Sequence, residues 1–69
     1  MILGAFVKFV FLSNRVWGVV TFVEGDYLEL ELANQPMMPT EDGAFVPVPG
    51  VSEGDQVIIR KDSVLEVKE

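Results

Sequence analysis

In Val57-Ile58-Ile59-Arg60-Lys61-Asp62-Ser63-Val64-Leu65-Glu66 an apolar run enters a charged corner at Arg60-Lys61-Asp62-Ser63. It resumes at once as a second short run, Val64 to Val67. A sharp corner between two strands lets a small sheet turn back on itself toward a barrel. The same corner gathers a guanidinium, an ammonium and a carboxylate on an exposed edge, the best place in the chain for recognition chemistry.

Outward from this corner the chain reads as strands. Phe6 to Leu12 is rich in aromatic and β-branched residues, and Ser13-Asn14 supplies turn chemistry before Arg15. Val16 to Val23 forms a second run that ends at Glu24-Gly25-Asp26, a hairpin signal in which Gly25 can take positive φ. The third run alternates, with Leu28, Leu30 and Leu32 on one face and Tyr27, Glu29 and Glu31 on the other. A period of two means one buried face and one wet face. The first two runs are apolar on both faces. Val7, Phe9 and Phe11 oppose Phe6, Val10 and Leu12, and Val16, Val20 and Phe22 oppose Trp17, Val19 and Val23. Such two-sided strands imply a tightly curled barrel or a surface that meets a partner.

Asn34 to Gly43, with two prolines and no period, is expected to be a loop. Ala44 to Val48 is expected as a short fourth strand, its Pro47 marking an edge position, and Gln56 to Lys61 as a fifth. Val64 to Val67 is a sixth strand or an extension of the fifth. The expectation is an all-β fold: residues 1–69 make a single small antiparallel barrel of five to six strands, of the SH3-like or OB-like kind.

Composition limits the chemistry. The chain contains no Cys and no His, which removes disulfides, the thiol nucleophile, the usual general base and the usual zinc ligands. Ser13, Ser52 and Ser63 sit in turns without a base beside them. The acidic turns Glu24-Gly25-Asp26, Glu41-Asp42-Gly43 and Glu53-Gly54-Asp55 read as solvated turns, the alternative being a carboxylate hydrolase or a hard-cation site. The reading is a non-enzymatic protein without cofactor or metal. With 69 residues, a domain buries only about 60% of its unfolded surface. Yet 49% of the residues are hydrophobic, so a homo-oligomer is expected to cover the surplus. No apolar run reaches the roughly 20 residues that cross a bilayer. Ile2 to Leu12 lacks the basic flank and cleavage site of a signal peptide, so a cytoplasmic setting (the host cytoplasm, for a viral source) is expected. The net charge of −6 opposes nonspecific coating of nucleic acid but leaves room for a local basic site.

Two segments resemble the Sm-like (LSm) family over about half of the chain. Val7 to Val20 is similar to the family's opening strand–turn–strand, with Gly18 followed by the apolar Val20. Gly54 to Val67 is similar to its second motif at Ile59, Arg60, Asp62, Val64 and Val67. Departures are Lys61 where the family has Gly, and Glu24 and Leu28 where it has Asp and a base-reading Asn. The resemblance implies a ring built by pairing the fourth strand of one subunit with the fifth of the next. Ala44, Phe45, Val46, Val48, Val57, Ile58 and Ile59 would then form the interface. It implies single-stranded RNA binding at Arg60, Lys61 and Asp62, with Glu24 at the first-motif acidic position and Tyr27 available to stack a base. The alternative is a structural or protein-interaction SH3-like barrel, an adaptor or a viral assembly component, that binds partners through its edge strands without nucleic acid.

Overall fold

A computed structural model describes residues 2–69. Seven strands follow in order: β1 Phe6–Phe11, β2 Asn14–Glu24, β3 Tyr27–Leu32, β4 Met37–Pro39, β5 Phe45–Pro47, β6 Gln56–Arg60 and β7 Val64–Lys68. A 3₁₀ turn, Lys61–Ser63, joins the last two. The protein is all-β and antiparallel, with a five-stranded sheet in the order β6-β3-β2-β1-β7 and a two-stranded β4–β5 hairpin. β6 and β7 stand at opposite ends of the strand order yet are consecutive in sequence. A three-residue connection cannot span a flat five-stranded sheet, whose strands lie about 4.8 Å apart. The sheet therefore curls until its ends approach at this corner. No ladder of backbone hydrogen bonds joins β6 to β7.

The concave face holds the core: Ala5, Val7, Phe9, Val16, Val20, Leu28, Leu30 and Leu32, with Phe11, Val23, Val51, Val57, Ile59 and Val64 packed against it. The alternation of Leu28, Leu30 and Leu32 is realised as expected. Gly18 lies opposite Val7 on β1 and Leu32 on β3. A Cβ there would stand 3.1 Å from Leu30 Cβ and 3.2 Å from Phe9 Cε1, so its bare backbone gives the core ring room.

Several details depart from the period-two reading. The first turn is Leu12-Ser13, both at positive φ, rather than Ser13-Asn14; Asn14 already pairs with Phe11. The β2–β3 register shifts between Val20 and Phe22, so Thr21 is the bulged residue. Beyond it the faces exchange: Val23 packs on the core, and Phe22, grouped in sequence with Val16 and Val20, turns outward. The expected loop Asn34 to Gly43 contains β4, and β5 pairs with it alone. Outward-facing Phe6, Val10 and Leu12 stay exposed, so in the single chain only one side of β1 is buried.

The β4–β5 hairpin carries its own local electrostatics. The Thr40 hydroxyl donates to the Asp42 carboxylate, and the Ala44 N–H donates to it at 3.3 Å. These bonds hold the Asp42 carboxyl below its ordinary value of 3.8. A depressed carboxyl pKa stabilises the fold above the ordinary value, and that stabilisation is lost as pH falls through the lower folded-state value. In Asp42→Asn the Ala44 amide is expected to exchange faster than in the parent at neutral pH, with the difference vanishing in acid. An equal difference at about pH 7 and about pH 2 would assign the effect to something other than the carboxylate.

Candidate interaction face

The Arg60 corner forms where β6 ends. The Lys61 N–H donates to the Asp26 carbonyl at 2.8 Å and ties the corner to the β2–β3 turn. Arg60, Lys61 and Asp62 do come together, in a shallow pocket completed by Asp26. Arg60 Nε lies 3.5 Å from Asp62 Oδ1, with both side chains largely in solvent. Two cations thus face two carboxylates, and the local field is close to balanced. Glu24 and Tyr27, the other residues singled out for RNA, lie on the adjoining row, where Glu24, Tyr27 and Arg60 are cross-strand neighbours.

The residues expected at a subunit interface separate into two groups. Phe45 and Val46 are exposed on the β4–β5 hairpin, while Val48 is buried; the Val48 N–H donates to the Pro36 carbonyl at 2.9 Å. Ala44 is exposed at the hairpin tip, where its carbonyl accepts from the Thr40 N–H at 2.8 Å. Val57 and Ile59 face the core and Ile58 faces out. The free edges of the five-stranded sheet are β6 and β7, and β5, whose Pro47 marked an edge position, is an edge strand of its own two-stranded sheet. Asn14 donates its side-chain amide to the Met37 carbonyl and so ties β4 to the start of β2, and β4 and β5 pair only with each other.

A larger cleft opens beside the corner. The bulge at Thr21 and the β3–β6 register set Phe22, Glu29 and Ile58 in one row across the outer face. With Glu24 and Tyr27 above the buried Leu28 they line a cleft of about 250 Å³. Phe22 is 50%, Tyr27 51% and Ile58 68% exposed, a concentration of apolar surface next to the open edge of β6. The sequence groups Phe22 with Val16 and Val20 on one face of a two-sided strand and puts Glu29 on the wet face of β3. Only the bulge and the register reveal their company.

At the other end of the sheet Lys8 meets both an acidic and an aromatic partner. Its ammonium lies 3.1 Å from Glu66 Oε1 and 5.7 Å from the Trp17 ring, and Lys68 approaches the same ring at 5.1 Å. Trp17 is half-buried and its backbone N–H donates to Asn34 Oδ1 at 2.8 Å. Among the described residues no group of three or more acidic, His or Cys side chains gathers to hold a metal, and no helix is long and apolar enough to cross a membrane.

Fold and face together define a small all-β domain with two open sheet edges and an apolar, carboxylate-bearing outer surface. Comparison with protein-family models, curated proteins and solved structures finds no match to the chain.

Proposed function

We propose that the protein is a non-enzymatic interaction module that works through the open edges of its five-stranded sheet. The observation that carries this is the open outer edge of β6 beside an exposed apolar face, Phe22, Tyr27 and Ile58. An open edge presents free N–H and C=O groups that a further strand can satisfy, and the apolar row beside it adds burial. β6 of one copy against β7 of the next removes both edges, and such a head-to-tail contact closes into a ring when its rotation permits.

Size-exclusion chromatography with light scattering tests this. An oligomer is expected at micromolar concentration, indifferent to added oligouridine. Ile58→Lys, at a position too exposed to matter for folding, should shift it toward monomer by placing a charge in the apolar contact. A parent protein that stays monomeric at high concentration removes self-pairing as the mode of action.

Single-stranded RNA binding is the second proposal, and what favours it is the placing of Arg60 and Lys61 side by side in the corner pocket. It ranks second because Asp26 and Asp62 stand in the same pocket. An oligouridine complex that weakens steeply with salt and disappears in Arg60→Ala would reverse that order.

A further inference from the structure

The outer-face cleft has a chemistry that edge pairing leaves unused. Its floor is Leu28, its apolar walls are Phe22, Tyr27 and Ile58, and Glu24 and Glu29 project on the same face. Glu29 is half-buried, flanked on its own row by Phe22 and Ile58. A carboxylate set among apolar side chains gains from a cationic neighbour. Among the described residues the ion pairs are Lys8–Glu66 and Arg60–Asp62, and neither engages Glu24 or Glu29. Arg60 is the cross-strand neighbour of Tyr27, but its guanidinium is turned to Asp62.

Size and charge then select an occupant. At about 250 Å³ the cleft falls below small-molecule sites and suits one long side chain; those sites span roughly 300–1,000 Å³. We propose that the cleft binds an arginine or lysine side chain presented by a partner protein. Its aliphatic stem lies on Phe22 and Ile58, its cation reaches the Tyr27 ring, and its head pairs with Glu29 and Glu24. Arginine is the better fit, because a planar guanidinium stacks on a ring and pairs with carboxylates at once. A partner strand laid along β6 would deliver every second side chain toward this outer face. The inference uses the same sheet edge as the proposed function but does not require copies of the chain to pair with one another.

The test is a titration followed by amide chemical shifts, using the capped peptide Gly-Val-Arg-Val-Gly and its citrulline analogue, which keeps the shape and removes the charge. The arginine peptide should shift the Phe22, Glu29 and Ile58 amides and bind about tenfold more tightly than the citrulline peptide. Glu29→Gln should lower the arginine affinity about fivefold or more without moving signals of the β1–β7 end. Glu24→Gln, at an exposed position, supplies the same comparison if the first variant folds poorly. Equal binding of the two peptides, no shift with either, or unchanged affinity in both variants overturns the proposal. So does a drop in self-association on Glu29→Gln, since the cleft's cation would then come from a second copy. Light scattering of the parent protein reports edge pairing separately, so either idea can fail alone.

Discussion

Phe9→Ala is expected to leave this chain largely unfolded at physiological temperature. Phe9 is fully buried at the centre of the concave face, where it pairs with Val16 and its ring lies above Gly18. Removing a core phenylalanine costs about 3–5 kcal/mol, through lost burial and the cavity left behind. Total stability at ordinary per-residue values for a chain of 69 residues would be about 3.5–10 kcal/mol. The loss therefore consumes much or all of it. Urea unfolding followed by circular dichroism reads the effect, and a variant within about 1 kcal/mol of the parent would mean that Phe9 is not the centre of the core.

Gly18→Val is expected to be the second most damaging exchange, for the opposite reason. Valine adds volume where a first carbon already meets Leu30 Cβ at 3.1 Å, Phe9 Cε1 at 3.2 Å and the Glu31 carbonyl oxygen at 3.3 Å. The aromatic edge can move a few tenths of an ångström, whereas the Glu31 carbonyl belongs to the β3 backbone and yields only if the sheet deforms. Overpacking of this kind costs about 1–3 kcal/mol, partly offset by the better strand propensity of valine. The two sites share one contact, so they should not behave additively. Phe9→Leu should soften the penalty of Gly18→Ala in a double-mutant cycle. Strict additivity would show that the strain falls on the Glu31 backbone instead.

The elements that were legible in the sequence are those where one local rule acts. Leu28, Leu30 and Leu32 alternate with charged or polar neighbours, and all three are buried. Glu24-Gly25-Asp26 turns where expected, with Gly25 at φ +55°. The Arg60-to-Ser63 corner is present as a 3₁₀ turn between two strands. β4 was not legible, because Met37-Met38-Pro39 is short, carries no β-branched residue and ends in proline. Its strand character comes from pairing with β5 and from the Asn14 amide at its first carbonyl, contacts made across the fold.

The candidate site divides in the same way. Glu24, Tyr27 and Ile58 were singled out individually, each for a different reason. Their joining with Phe22 and Glu29 depends on a single bulge at Thr21, and a bulge leaves no mark in a period-two pattern when both faces of the strand are apolar. Where Val16 to Val23 offers hydrophobic residues on either side, sequence cannot say at which residue the faces exchange. The corner cations posed a different difficulty. Arg60 and Lys61 announce a positive site in the sequence, but Asp26 reaches the pocket only through the β2–β3 turn.

The pairing of β1 with β7 also sets an order of events during synthesis. β1, β2 and β3 are made first and can pair by successive hairpins, yet the outer edge of β1 has no partner until Val64–Lys68 has been translated. Through that interval the nascent chain displays an unpaired strand with Phe6 and Val10 on its flank. Contacts spanning so much of the chain slow folding, and a waiting strand edge is open to capture by other emerging copies. Lys8, placed mid-strand on that edge, is the one charge β1 carries to discourage such capture before Glu66 arrives to meet it.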